Sequence, residues 1–399
     1  MLAAACIFIG TYIVLAIGTL PGFRVDRTGA AIIGAGLMIA FNVLNLEDVY
    51  AAIDHNTILL LFGMMIVVAN LRLSGFFTAV SEWMVEHAHH PLTLLAAIVF
   101  VSGVFSAFFV NDTMCLGLTP LVLEIVVALG RNPVPYLLAV AMASNIGSVA
   151  TITGNPQNMM IGAFSGIPYR HFAASLAPVA VFGLIVAFGI IAVFYRKEFR
   201  RSEVIAMPSR RVRVNRVLMW KSLVVSSLMI FFFFLGWPIA KVAIVAGALL
   251  LITRRVKPEK VYHEIDFSLL ILFIGLFVVV AGIEKTPLLS GVLGFVSGYG
   301  LDRPAILSSV TAVLSNLASN VPAVLMFKPV VPHLADPNRS WLILAMASTL
   351  AGNLTVLGSV ANLIVVQKAR RHVSITFWEY FKVGLPLTIA TIAIGLWML

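Results

Sequence analysis

Two polar stretches interrupt an otherwise apolar chain, and they are copies of each other. Residues 141–158 read Ala-Met-Ala-Ser-Asn-Ile-Gly-Ser-Val-Ala-Thr-Ile-Thr-Gly-Asn-Pro-Gln-Asn, and residues 345–362 read Ala-Met-Ala-Ser-Thr-Leu-Ala-Gly-Asn-Leu-Thr-Val-Leu-Gly-Ser-Val-Ala-Asn. Ser144 pairs with Ser348, Thr151 with Thr355, Gly154 with Gly358 and Asn158 with Asn362, each pair 204 residues apart. Two copies in register mean that the chain is built from one unit, duplicated. Glycines in both copies and a proline, Pro156, in the first predict that the helix carrying each is broken there.

The surroundings make such a break informative. Apolar residues are 60% of the 399, charged residues only 11%, and mean hydropathy is +1.02, more than a soluble core can hide. Several runs keep ~17–25 apolar residues without a charge, enough to cross ~30 Å of hydrocarbon. The chain therefore reads as an all-α polytopic membrane protein. Its net charge of +10 does not indicate nucleic acid, because the basic residues sit in short loops between apolar runs and report orientation instead. Cys6 and Cys115 both lie in apolar segments, which excludes a disulfide framework and a paired-thiol metal site. The first run, Leu2 to Leu20, is too long for a signal-peptide core and reads as a retained span.

In chain order, spans are expected at about 2–20, 29–45 and 57–72. Arg24 and Arg27 lie in the first connection, Glu47 and Asp48 in the second. Residues 73–91 alternate apolar and polar faces and suit a helix lying at the interface. His87, His89 and His90 present at most one i, i+3 pair, so they read as solvated surface and not as a metal site. A helical hairpin over 92–130 carries Asn111-Asp112-Thr113 at its middle, followed by a span over 134–167 broken at Thr153-Gly154-Asn155-Pro156, and one at 172–195. Residues 196–217 form a basic linker. The plan then repeats with spans at about 218–236, 239–253 and 268–283, a hairpin over 304–333 carrying Ser319-Asn320, a broken span over 341–367 and a last span at 376–398.

Asn320 and Pro329 stand 209 residues after Asn111 and Pro120, so the hairpins repeat as well. Residues 1–195 thus form a first unit and 218–399 a second. Each unit holds five of about ten crossings, an odd number, and the second must be inverted relative to the first. By the positive-inside rule, Arg196 to Arg216, Arg254 to Lys260 and Lys368 to Arg371 face the cytoplasm, and both termini face outside. Inverted repeats whose broken helices meet at mid-membrane are an architecture of secondary transporters, because irregular backbone is tolerated there only around a cavity.

Two motifs carry a resemblance. Asn111-Asp112-Thr113 with Pro120 seven residues on, and Ser144-Asn145-Ile146-Gly147 leading to Thr153-Gly154-Asn155-Pro156-Gln157-Asn158, resemble the arsenite permease and anion permease superfamily over essentially the whole chain. That superfamily includes divalent-anion:sodium symporters, citrate carriers and sodium/proton antiporters. The sodium-coupled carboxylate carriers have Ser-Asn-Thr in their hairpins, which this chain lacks in both. The Asn-Asp pair in the first hairpin is similar to what arsenite efflux permeases have. The resemblance implies a transporter without enzymatic activity or cofactor, driven by H+ or Na+, in the inner cell membrane. It further implies a small inorganic oxyacid or anion as substrate, and a cytoplasmic ATPase subunit and a second copy of the chain as protein partners.

The residues support a site on their own chemistry. Broken helices leave free N–H groups at one end and free C=O groups at the other. Asn, Ser and Thr supply neutral donors and acceptors that can replace hydration of a solute or ion. The expected lining is Asn111, Asp112, Thr113, Ser144, Asn145, Thr151, Thr153, Gly154, Asn155 and Asn158 from the first half. From the second come Ser319, Asn320, Ser348, Thr349, Asn353, Thr355, Gly358, Ser359 and Asn362. The bland reading of small polar residues in membranes is helix-to-helix glue, and it suits Ser106 or Ser315 taken singly. Asp112 is the one acid at the polar centre of either hairpin. An intramembrane carboxylate costs roughly 2.5–3.5 kcal/mol on insertion scales and marks function, so Asp112 is the expected coupling residue. Its plain alternative is to cap its own helix at Thr113–Cys115. Cys115 alone cannot form a multi-thiolate site and reads as packing.

Two function classes follow. In one, an efflux permease exchanges a neutral oxyacid such as arsenite for protons. In the other, a sodium- or proton-coupled symporter takes up a carboxylate, sulfate or similar anion.

Overall fold

A computed structural model describes residues 2–19, 22–88, 90–200, 214–286 and 300–399; part of the basic linker and His89 lie outside the described residues. Among these, the chain forms twenty α-helices and three 3₁₀ turns and no strand. In the first half, α1 (Leu2–Ile17), α2 (Arg27–Ala40) and α4 (His55–Leu73) are the early spans, with the short α3 (Leu46–Ala52) between the last two. The amphipathic segment forms α5 (Phe76–His87). The hairpin arms are α6 (Pro91–Phe108) and α7 (Asn111–Ala128), the broken span is α8 (Pro133–Ser148) and α9 (Pro156–Ser165), and α10 (Tyr169–Phe194) leads into α11 (Arg196–Phe199). The second half runs α12 (Arg216–Phe234), α13 (Ile239–Leu251), α14 (Pro258–Tyr262) and α15 (Phe267–Glu284). It continues through hairpin arms α16 (Pro304–Ala318) and α17 (Asn320–Phe327), broken span α18 (Pro337–Ala351) and α19 (Val360–Ala369), and α20 (Phe377–Met398).

Seven described helices have the 18 or more residues and the apolarity needed to cross a membrane, with α6 and α7 among them. The shorter α1, α2 and α13 and the two broken pairs complete the ten expected crossings. Local chemistry fixes the ends. Asp54 caps α4 through Thr57 N (2.6 Å) and Asp266 caps α15 through Leu269 N (3.0 Å), the same role at the same place in each half. Pro156 opens α9 behind the Asn155 cap, where its fixed φ and missing N–H are tolerated.

The early spans of the two halves interlock. α2 packs on α15, and α4 on α13. At the crossings a Cβ on Gly63 would lie 2.5 Å from the Ala243 carbonyl carbon, and one on Gly275 would lie 2.8 Å from that of Ala31. Gly63 to Gly275 and Ala31 to Ala243 are both steps of 212 residues, so one glycine-on-backbone contact is made twice under a pseudo-two-fold. Without water to drive association, such close approach is how helices in a bilayer gain packing energy. The halves in sequence are therefore not separate bodies in space.

α8 and α18 run through the centre, buried along nearly their whole length. Each is flanked by its own hairpin and by its own last span, α10 or α20.

Gly63→Leu and Gly275→Leu are expected to abolish folded protein, because each side chain must enter the backbone of a neighbouring helix, where overpacking alone costs about 1–3 kcal/mol or more. Gly36→Leu, whose Cβ meets nothing within 4 Å, should fold normally. Size-exclusion profiles of detergent-extracted fluorescent fusions would tell the two outcomes apart.

Candidate functional site

The two breaks are held open by the same device. Asn158 Nδ2 donates to the carbonyls of Ser148 (3.0 Å) and Thr151 (3.0 Å), and Asn362 Nδ2 to those of Gly352 (2.6 Å) and Thr355 (3.0 Å). In each case an amide reaches back ten and seven residues to carbonyls that the break deprived of helical partners, which in a low-dielectric interior would be costly to leave bare. Gly154 is needed because a Cβ there would meet Ser148 O at 2.2 Å, and Gly358 because one would meet the Gly352 carbonyl oxygen at 2.9 Å and Asn316 Oδ1 at 2.7 Å.

The breaks meet each other across the pseudo-two-fold. Asn155 Nδ2 donates to Thr349 Oγ1 (3.1 Å), and Ser359 Oγ donates to Asn145 Oδ1 (3.0 Å). These contacts are mates, since Asn155 corresponds to Ser359 and Asn145 to Thr349. Asn145 is the hub. Its Nδ2 donates to the side-chain oxygens of Asn353 (2.9 Å) and Asn362 (3.0 Å), and its Oδ1 also accepts from Asn111 Nδ2 (3.0 Å). Ser144 Oγ donates to Asn111 O (3.3 Å). The first hairpin tip, the first break and the second break thus share one buried network.

The second hairpin tip joins through Asn320. With its amide oriented to suit its neighbours, Nδ2 donates to Ser315 Oγ (2.6 Å), Gly358 O (3.1 Å) and Ser348 O (3.2 Å), while Oδ1 accepts from Gln157 Nε2 (3.2 Å). Gln157 also donates to Thr349 Oγ1 (3.1 Å). Ser319, at this tip, holds φ +76° and ψ 159°, a conformation that glycine alone adopts without strain.

Asp112 is not the N-cap of its own helix. α7 has Val110 at its N-cap with no side-chain hydrogen bond there, and Asp112 stands in the first turn. The start of α19 is close by: the Asp112 carboxyl is near the backbone N–H of Ala361, which itself donates to Ser359 Oγ (3.2 Å), and a helix N-terminus favours a negative charge. It keeps part of its surface accessible.

Several expected residues face elsewhere. Thr151 Oγ1 donates to Ala107 O and Thr153 pairs with Tyr169 OH (2.9 Å), fastening the first break to α6 and α10. Ser348 Oγ turns back to Ala345 O (3.3 Å) and Thr355 Oγ1 donates to Asn316 Oδ1 (3.2 Å). Thr113 is only partly buried and is not part of the network. Two residues join the centre that the repeat did not single out. Gln157 stands where the second copy has Ala361, so the alignment shows it as a mismatch. Tyr380, fully buried beside Asn362 and Cys115 with its hydroxyl unpartnered, stands where the first copy has Phe172.

Asn145→Ala should lower stability by about 2–3 kcal/mol, taking four hydrogen bonds at about 0.6 kcal/mol each inside a membrane. Ser106→Ala, which removes one bond to Ser144, should stay within about 1 kcal/mol. Thermal unfolding of both variants in the same detergent is the comparison to make.

The arrangement has counterparts. The rice (Oryza sativa subsp. japonica) silicon efflux transporter LSI3 is 31% identical over 95% of this chain and 93% of its own. A 46 kDa membrane protein of Mycobacterium leprae is 29% identical over 99% of this chain and 98% of its own, and a putative transporter arsB of Dictyostelium discoideum is 23% identical over 93% and 86%. The crystal structure of the Alcanivorax borkumensis YdaH transporter superposes with a TM-score of 0.60 at 15% identity, covering 99% of this chain and 95% of that one, which gives the fold. The profile of the citrate transporter family, CitMHS, matches residues 12–351; the chain is a membrane transporter that belongs to this family.

Proposed function

We propose that the chain exports a small neutral hydroxy acid of a metalloid, of the arsenite, antimonite or silicic acid kind, in exchange for protons. The observation that carries the reading is the polarity of the centre. Its described groups are amides, hydroxyls and one carboxyl, with no Lys or Arg side chain in the network. Asn111 Oδ1 is buried without a partner, and Asp112 sits beside it in sequence. Acceptors in want of donors suit a solute that presents O–H groups. An anion at the start of α19 would meet the carboxyl of Asp112. The names of the rice and Dictyostelium relatives point the same way.

The second reading is uptake of a carboxylate or similar anion coupled to sodium. It has the family description in its favour, and acceptor-rich hairpin tips would also suit sodium. Both readings use one moving bundle, formed by the hairpins and broken spans, against a scaffold of the first three spans of each half. Positive-inside charge puts both termini outside in the inner cell membrane. A homodimer and a cytoplasmic ATPase subunit belong to the proposal on the strength of resemblance alone.

Everted vesicles supplied with arsenite, antimonite, silicic acid, citrate and sulfate decide between the readings. Proton-driven accumulation of the neutral acids and not of citrate is expected, and the reverse would sink the proposal. Asp112→Asn keeps a near-isosteric side chain at Ala361 and should fold, yet lose pH-driven transport; a wild-type response in that variant would move coupling to sodium or the membrane potential. Lys257→Cys in a chain lacking Cys6 and Cys115 should resist an impermeant thiol reagent added from outside, and rapid labelling there would overturn the orientation.

A further inference from the structure

The pseudo-two-fold that governs the centre fails at one level of the molecule. Toward the face that carries Asp48 and Asp302, Glu284 at the end of α15 pairs with Lys328 at the end of α17, with Lys328 Nζ 3.1 Å from Oε1 and 3.3 Å from Oε2. The same Nζ lies 5.5 Å from the centroid of the Phe164 ring at the end of α9. Phe164 in turn meets Phe277 of α15 edge-on at 6.2 Å and Trp341 of α18 at 6.3 Å. Phe277 and Trp341 are almost fully buried. An ion pair, a cation over an aromatic face and an aromatic layer are stacked here, and each joins the scaffold to the bundle or roofs the joint.

The related positions on the other face do not repeat it, and the ion pair at the end of the first hairpin there, Arg131 with Glu198 (3.8 Å), joins α7 to α11 and not to the early spans. The steps of 212, 209 and 204 residues carry Glu284 onto Arg72, Phe277 onto Met65, Lys328 onto Thr119, Phe164 onto Lys368 and Trp341 onto Leu137. Arg72 pairs with Glu264, which precedes α15, so its ion pair stays within the scaffold, and Thr119 Oγ1 donates into its own helix at Cys115 O (2.6 Å). Where one face has a glutamate and an aromatic ring, the related positions hold two cations, Arg72 and Lys368. Next to Glu284, Lys285 pairs with Asp48 of α3, also within the scaffold; Glu284 instead reaches across to the hairpin.

We propose that the Glu284–Lys328 pair, seated on the Phe164–Phe277–Trp341 layer, is the outer gate of the transporter. The gate is closed in this structure and must part each time the bundle moves against the scaffold. Its strength comes from half-burial. Side-chain exposures of 29% for Lys328 and 28% for Glu284 give an ion pair less screened than a surface one, and partial desolvation strengthens the cation over the ring. The inference rests on the transporter reading but not on any substrate, and its test needs none.

A single cysteine replaces Ser319, two turns of α17 beneath Lys328, in a chain lacking Cys6 and Cys115, and the rate of labelling by an impermeant maleimide added outside intact cells is read. Labelling should be slow in this parent. Lys328→Gln, Glu284→Gln and Phe277→Ala should each raise the rate at least tenfold, and the exchange Glu284→Lys with Lys328→Glu should bring it back to within a few-fold of the parent. Rates unchanged in all three single variants, or an exchange no slower than the neutral variants, would overturn the proposal. Should a neutral variant fail to reach the membrane, the exchange is compared with each of its charge-reversed halves, Glu284→Lys and Lys328→Glu. Fast labelling in a half and slow labelling in the exchange support the gate, and equal rates overturn it. Because no transport is measured, a failed substrate assignment leaves this result intact.

Discussion

The structure depends on satisfying the backbone where two helices stop in the middle of a bilayer. Each break frees carbonyls that have no water to turn to, and one asparagine amide in each half returns to the carbonyls ten and seven residues earlier. With those groups answered, the remaining side chains can face each other across the pseudo-two-fold. The amide–hydroxyl network of Asn111, Asn145, Asn155, Thr349, Asn353 and Ser359 is a consequence of that first repair, because the same turn that needs the repair also brings the two broken spans into contact.

Much of this is legible in sequence. The duplication in steps of 204 and 209 residues located both breaks and both hairpins, since glycine, proline and amide residues inside apolar runs have few other uses. What stayed hidden has a common physical cause. Gln157 and Tyr380 act where the two copies differ, and a reading built on repetition discounts its own mismatches. The neighbour of Asp112 is the start of α19 at Ala361, which no side-chain pattern advertises. The interlocking of α2 with α15 and of α4 with α13 rests on a glycine beside an alanine, and in an apolar helix that pair is indistinguishable from filler until the partner helix is placed on it.

The polar centre also divides its labour unevenly. Thr151 and Thr153 were expected to face solute and instead moor the first break to α6 and α10, while Thr349 accepts from two amides of the opposite half. Hydroxyls of one type in one motif therefore serve as anchors or as contacts according to which side of the turn they leave. Placing Asp112 at the start of α19 makes its charge and that helix's dipole one electrostatic unit, so any change in its protonation is felt by the second half of the chain although the residue belongs to the first.

The glycine-on-backbone crossings have a consequence for how such a chain came to exist. Gly63 in α4 finds its seat only on α13, and Gly275 in α15 only on α2; neither half contains both members of a contact. A half-length ancestor would have been complete only as two copies inserted in opposite senses, each lending the other the surface it lacked. Fusing the copies replaced an encounter between independently inserted chains by one within a single chain, where effective concentrations for short tethers are on the order of millimolar.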